Sequence, residues 1–277
     1  MEEKLLHHQL VIHEVDKPWL VFIHGAGGSI ATWKYQLGAF KEHFNVLLID
    51  LRDHGLSDVE EADLYSFELI VEDIHQVITH HGIKRAHFMT LSFGSVLLQA
   101  YSLKYPKTVM SAVFTGGIFK ANLWIKSFVY LAKLLNLILP YSWMYSLFSY
   151  LLMPRAHHQF SRKIYRKQAA KISSKAYMKW VGLYREFFEL LDRFYHQKIH
   201  FPSLVVMGKE DYVFHQAALQ FSQHQKEVEF VTLEGAGHIC NIDKSEAFNQ
   251  HVLHFYHKHD FTIVTGQIAP TVSVEDE

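Results

Sequence analysis

The apolar positions of this chain follow two rhythms. In one, apolar residues fill most of a short run at Trp19–Ile23, Asn45–Asp50, Met110–Phe114, Ser203–Met207 and Val228–Leu233, and half of Arg85–Thr90. Runs of that length, rich in β-branched and aromatic residues, predict strands buried on both faces. In the other, apolar residues recur every third or fourth position. Ser66–His81 puts Leu69, Ile70, Ile74, Val77 and Ile78 on one helical face, with Ser66 as cap and Gly82 as stop. Phe93–Tyr105, stopped by Pro106, and Ser245–Lys258 also read as helices, and Thr32–Phe40 carries helix-like spacing. Alternating strands and helices predict an α/β fold with a mostly parallel central sheet and helices on both faces. Ligands of such sheets bind at the carboxyl ends of the strands.

The rhythm changes between about residues 119 and 200. Strand-turn punctuation disappears and aromatic, helix-forming residues dominate, which predicts a helical cap inserted into a core made of residues 1–118 and 201–265. Leu134–Met153 holds no charged residue and is long enough to span a bilayer. Pro140 interrupts it and Ser and Tyr dilute it, so two lid helices joined near Pro140 are the preferred reading. An apolar lid points to an apolar acyl or aromatic substrate, with Trp143 and Phe148 as candidate contacts; the plainer alternative is that these residues only pack on the sheet. Arg155–Lys179 then holds eight Lys or Arg and no acid. Ile164, Ala169, Ile172 and Ala176 give this stretch one apolar side. A solvated cap helix is its default reading; weak contact with an anionic membrane surface, or with a phosphate-bearing substrate, is the alternative. Residues 266–277 are polar, end acidic and read as a loose tail.

Composition narrows the classes. The chain of 277 residues is 49% hydrophobic and 20% charged, enough for a sizeable core, and its net charge of −1 gives no signature of nucleic-acid binding. One cysteine, Cys240, excludes an internal disulfide framework and fits a reducing compartment. Met1-Glu2-Glu3-Lys4 shows no basic and apolar leader, so a cytoplasmic location is the default expectation. The 21 histidines are scattered, and pairs such as His157-His158 sit in no metal-ligand frame; neither a metal nor a cofactor is expected.

Candidate chemistry gathers where strands end. Thr90-Leu91-Ser92-Phe93-Gly94 lies between a predicted strand and a predicted helix and places a serine on a sharp turn. Small residues are needed two positions either side of it, and Thr90 departs from the commoner glycine. His24-Gly25-Ala26-Gly27-Gly28-Ser29 follows the first apolar strand; a glycine loop can aim backbone N–H groups at a developing negative charge. It has no GxGxxG, and no Lys-Ser/Thr pair follows, which argues against a nucleotide site. His24 and Gly25 are candidate substrate contacts, although a structural role in the loop outweighs a second-base role for His24. Asp50-Leu51-Arg52-Asp53-His54-Gly55-Leu56-Ser57 reads as scaffolding of the same face. Asp211 sits on the turn after Val205–Gly208, with Glu210 beside it as the fallback acid, and His238 ends Gly235-Ala236-Gly237 after the last strand. Cys240 reads as a small packed side chain.

Together these segments resemble the α/β-hydrolase superfamily over nearly the whole chain, from about Trp19 to His257. HGAGGS, DLRDHGLS, TLSFG, MGKED and GAGH stand in family order, and Ser92, Asp211 and His238 follow one another at spacings of 119 and 27 residues. The resemblance implies a nucleophile (Ser92), a base (His238) and an acid that orients it (Asp211). It also implies an oxyanion hole from the backbone N–H groups of Ala26 and Phe93. The expected function is cleavage of a carboxylic ester or related acyl bond, with thioester, lactone, amide and carbon–carbon hydrolysis and perhydrolysis left open. Serine at the elbow argues against members that use aspartate there, such as epoxide hydrolases. A small-ligand receptor on the same fold is the alternative from a different class.

Overall fold

In the computed structural model, which describes residues 5–14, 16–57, 65–121, 123–135 and 140–259, the six apolar runs and one further strand form a seven-stranded sheet. In chain order the strands are β1 (His8–Val11), β2 (Trp19–Ile23), β3 (Asn45–Ile49), β4 (Ala86–Leu91), β5 (Val109–Thr115), β6 (Ser203–Gly208) and β7 (Val228–Leu233), in spatial order β1-β3-β2-β4-β5-β6-β7. β1 runs antiparallel to β3; every other pairing is parallel. β1 was not expected from the sequence. It is a half-buried edge strand and lacks the continuous apolar run that marks its neighbours.

Between the strands lie α1 (Lys34–Phe40), α2 (Phe67–His80), α3 (Phe93–Lys104), the inserted group α4 (Leu123–Leu135), α5 (Tyr141–Leu152), α6 (Gln159–Ala169), α7 (Ser174–Gly182) and α8 (Tyr184–Tyr195), then α9 (His215–Gln223), α10 (Cys240–Asp243) and α11 (Ser245–Lys258). Ser66 caps α2 by accepting the Leu69 N–H at 3.1 Å. α1 packs on α11, and α2 on α3, so helices cover both faces of the sheet. The fully buried side chains between the layers include Phe22, Phe40, Phe88, Phe114 and Phe248. The helix expected over 32–40 is in part a 3-10 turn, Ile30–Trp33, before α1 begins.

Among the described residues the insertion between β5 and β6 holds five α-helices, more than the periodicity resolved. α5 begins directly after Pro140, whose φ of −58° suits a helix start. Among the described residues no helix is long and apolar enough to cross a membrane. The expected tail, 266–277, lies outside the described residues.

Register decides where chemistry can gather. Ile23 pairs with Thr90, Leu91 with Thr115, Thr115 with Val206, and Gly208 with Leu233. The carboxyl ends of β2, β4, β5, β6 and β7 therefore reach one sheet edge together, and the loops that follow them share it.

Candidate active site

Ser92 occupies the turn between β4 and α3 with φ 53° and ψ −118°. A side chain at positive φ costs about 1–3 kcal/mol and persists where surrounding bonds over-determine it. Here the Ser92 N–H donates to Thr115 O at 2.9 Å, and the Ser92 carbonyl accepts the Ser95 N–H at 2.8 Å and the Ser95 hydroxyl at 2.6 Å. Gly94 is required by proximity: a Cβ there would lie 2.6 Å from the carbonyl oxygens of both Ile23 and His24. Thr90 is accommodated because it is still inside the strand. Its buried hydroxyl donates to Val113 O at 3.2 Å instead of crowding the turn.

Asp211 and His238 arrive from β6 and β7. Their loops cross at Gly208, where a Cβ would stand 2.1 Å from Gly237 O. The N–H groups of Val213 and Phe214 donate to Asp211 Oδ1 at 3.2 and 3.0 Å, which aims Oδ2 at His238. His238 Nδ1 lies 2.7 Å from Asp211 Oδ2, and His238 Nε2 lies 2.7 Å from Ser92 Oγ. A carboxylate only accepts, so Nδ1 carries the ring proton and Nε2 is left to accept the Ser92 hydroxyl. Both Asp211 and His238 are buried. The structure thus joins in one hydrogen-bonded chain three residues separated by up to 146 positions.

The glycine loop after β2 is held against this elbow. A Cβ on Gly25 would lie 3.0 Å from Leu91 O and 3.1 Å from Ser92 Cβ. Ala26 follows directly, and among the described residues neither the Ala26 nor the Phe93 N–H has a protein acceptor. Two buried imidazoles fix the loop. His24 Nδ1 donates to Gly25 O at 2.7 Å and Nε2 accepts the Leu51 N–H at 3.0 Å. His54 Nδ1 donates to Arg52 O at 2.8 Å and Nε2 accepts the Gly27 N–H at 3.0 Å. Burial lowers their pKa values to about 4 and about 3, so both stay neutral, as their acceptor role demands. His24 is therefore a scaffold residue, which corrects its expected contact with substrate: it is fully buried and both ring nitrogens are engaged. Asp50 ties the loops together, accepting the Ile30 N–H on Oδ1 at 2.7 Å and the Leu56 N–H on Oδ2 at 3.0 Å.

Comparison with known proteins agrees with this fold. The family described as alpha/beta hydrolase fold matches residues 18–245. The chain belongs to the α/β-hydrolase family. Among curated relatives, mouse epoxide hydrolase 3 is 32% identical over 101 residues, which span 36% of this chain and 28% of that protein. The chain thus aligns with less than a third of that relative's length. Among solved structures, a hydrolase from Pseudomonas aeruginosa superposes with a TM-score of 0.73 at 23% identity, covering 90% of this chain and 92% of that one. An enol-lactonase from Burkholderia xenovorans superposes with a TM-score of 0.74 at 20% identity over 91% and 96%. At those identities the likeness is one of fold.

On this α/β-hydrolase frame the cap adds an aromatic wall. Phe93, next to the elbow serine, stacks on Phe67 and Phe187 with ring centroids 5.6 and 5.8 Å apart, and the Trp180 ring meets it edge-on at 5.5 Å. Trp180 also stands perpendicular to His54 at 4.9 Å. Its indole N–H is buried with no acceptor among the described residues. From α5, Tyr145 reaches Gly27, where a Cβ would come within 2.9 Å of its ring. Sequence reasoning made neither Trp180 nor Tyr145 a candidate contact, because nothing in the spacing of a cap helix tells which turn overhangs the sheet edge. Trp143 needs correction: it is 65% exposed on the outward side of α5, opposite buried Met144 and Tyr145, and the structure does not bring it to the site. Phe148 is half-buried on the same helix.

Glu210 does not act as a substitute acid. It faces the cap, where its Oε2 meets His157 Nε2 at 2.8 Å. His158 Nε2 lies 3.0 Å from the same oxygen, off the line of the ring N–H, so that contact is a polar one without hydrogen-bond geometry. The ligand atoms of His157, His158 and Glu210 lie within 4.8 Å of one another, a grouping the sequence frame hides because Glu210 is far along the chain. The Arg155 N–H donates to His158 Nδ1 at 3.3 Å, which leaves the proton on Nε2 and makes this a seam between cap and core rather than a ready metal site. Cys240 is buried, its thiol donates to Val206 O at 3.5 Å, and burial pushes its pKa up, so it is packed and inert.

Proposed function

We propose that this α/β-hydrolase family member is a serine hydrolase, cleaving a carboxylic ester or related acyl bond of an apolar, small-to-medium substrate through an acyl-enzyme at Ser92. The observation that carries this reading is the relay Ser92–His238–Asp211, with two 2.7 Å contacts ending on a serine held at positive φ. Ser92 Oγ attacks the acyl carbon as His238 Nε2 takes its proton, and Asp211 stabilises the imidazolium that forms. The tetrahedral oxyanion accepts the N–H groups of Ala26 and Phe93, each worth roughly 3 kcal/mol in the transition state. Collapse breaks the acyl–oxygen bond, and His238 returns the proton to the leaving alcohol. Water then attacks the acyl-enzyme with the same base, releasing the acid and restoring Ser92.

The epoxide-hydrolase name belongs to the mouse relative; serine rather than aspartate at the elbow points here to acyl chemistry. The wall of Phe93, Trp180 and Phe187 favours apolar acyl or aromatic groups. The test is a panel of p-nitrophenyl esters of increasing chain length, assayed on wild type and Ser92→Ala, with fluorophosphonate labelling. Turnover that falls by about 10⁴-fold or more in Ser92→Ala, with the label on Ser92, is expected. Hydrolysis that survives the substitution overturns the mechanism; absence of both turnover and label favours a ligand receptor.

A further inference from the structure

α5 is apolar apart from one line of serines, Ser142, Ser146 and Ser149. Its twelve residues carry no charge. Met144, Tyr145 and Leu152 are buried, whereas Trp143, Leu147, Tyr150 and Leu151, spaced i, i+4, i+7 and i+8, are 42–65% exposed. A broad apolar helix face belongs against protein or lipid, and the outward face of α5 is covered by nothing among the described residues. α4 adds exposed Leu131 and Leu134. Of the thirteen large hydrophobic side chains exposed among the described residues, nine lie on the cap, so exposed apolar surface is concentrated there and is not a general feature of the surface.

The same region is strongly basic. No Asp or Glu occurs between Asp73 and Glu186, and residues 123–182 hold ten Lys or Arg in a chain whose net charge is −1. Lys163 and Lys167 on α6, and Lys171 and Lys175 beyond it, are exposed. The guanidinium groups of Arg162 and Arg166 lie 4.9 and 5.5 Å from the centre of the Tyr150 ring, so the basic helix borders the apolar face directly.

The occupant of this surface must take up apolar side chains and positive charge side by side. We propose that the cap docks on an anionic lipid bilayer, with the outer face of α5 lying among the headgroups and the lysines of α6 and α7 facing lipid phosphates. Trp and Tyr suit the interfacial depth, and each basic residue near an anionic surface adds about 1 kcal/mol, roughly a fivefold gain in partition. A second copy of the chain would set ten positive charges against ten. A nucleic acid would use the lysines and leave Trp143, Leu147 and Leu151 in water. The inference goes beyond the acyl-cleavage reading and does not depend on the role of Ser92.

The experiment is co-sedimentation of the full chain with two kinds of vesicle: phosphatidylcholine alone, and phosphatidylcholine with about a third phosphatidylglycerol. Binding to the mixed vesicles at least about tenfold stronger than to the neutral ones, and weakening with salt, is expected. The Lys163→Glu, Lys167→Glu, Lys171→Glu, Lys175→Glu quadruple variant should lose at least about tenfold, as should Leu147→Ser with Leu151→Ser. Intrinsic tryptophan emission should shift to the blue on binding, and the shift should vanish in Trp143→Phe. Hydrolysis of a soluble ester by the quadruple lysine variant should stay within about twofold of wild type, so a failure of docking and a failure of the Ser92 mechanism register in different assays. Equal binding to both vesicles, or none, overturns the proposal. So does a dimer in light scattering that Leu147→Asp dissociates, which would assign the face to a second copy.

Discussion

The ring of His54 accepts the backbone N–H of Gly27 at 3.0 Å, so a side chain from one loop holds the glycine loop beside Ser92 in place. That contact exists only while the imidazole is neutral. His54 and His24 have folded pKa values of about 3 and about 4, below the ordinary 6.5. The stability they confer is complete above pH 6.5 and is lost as pH falls toward those folded values, because the unfolded chain takes up protons first. Each histidine contributes a slope of about 1.4 kcal/mol per pH unit inside that window. Urea midpoints should be flat from about pH 7 to 8 and fall steeply between about pH 6 and 4. His54→Ala should cost about 1–3 kcal/mol at pH 7 by orphaning the Gly27 N–H, and should show a shallower acid slope than wild type. A slope unchanged by the substitution would show that His54 is not one of the groups titrating.

Gly55 is a second support of the same loops. It has φ +56°, and a Cβ there would lie 2.2 Å from the Asp50 carboxylate, which carries the Ile30 and Leu56 N–H groups. Gly55→Ala should destabilise the fold by at least about 2–3 kcal/mol, read as a lower thermal midpoint. Gly38, in α1, is the control: a Cβ there meets nothing within 4 Å, so Gly38→Ala should be neutral or stabilising by up to about 1 kcal/mol.

Neighbouring carboxylates should separate cleanly. Asp211→Asn removes the acceptor that fixes the His238 tautomer and should lower kcat by about 10⁴-fold with little change in KM. Glu210→Gln leaves the Ser92–His238 pair untouched and loosens only the His157 seam, so kcat should stay within about fivefold. Equal losses in the two variants would contradict the assignment.

The buried N–H of Trp180 has no acceptor among the described residues, and its ring stands beside Phe93. A substrate oxygen would satisfy it. Trp180→Phe keeps the ring and removes the donor, so KM should rise about 3- to 10-fold for esters carrying a second polar acceptor and stay unchanged for plain alkyl esters. A uniform loss across the ester panel would assign Trp180 to packing alone.

The sheet was legible in the sequence because strands buried on both faces, such as Leu20–Ile23 and Val46–Ile49, have no polar side to interrupt the run. Ser92, Asp211 and His238 could be picked out as candidates because each follows a strand, half-buried in the case of β7, and parallel strands deliver their carboxyl ends to one edge. What stayed hidden depends on how separate segments are phased against each other. The roles of His24 and His54 as backbone acceptors follow from loop packing and leave no mark in spacing. On α5 both faces are apolar, so composition could not tell that Trp143 points out and Tyr145 in. Glu210 and Asp211 are adjacent, and only the crossing of the loops at Gly208 decides which carboxylate meets His238.

The backbone N–H of His238 donates to Leu152 O, the last residue of α5, at 3.2 Å. The proposed base and the last residue of a cap helix therefore share a joint. A shift of α5 would pull on the loop that carries His238, which would gear access under the proposed mechanism to the aim of Nε2. Changes that slacken the end of α5 should then surface in kcat as well as in KM.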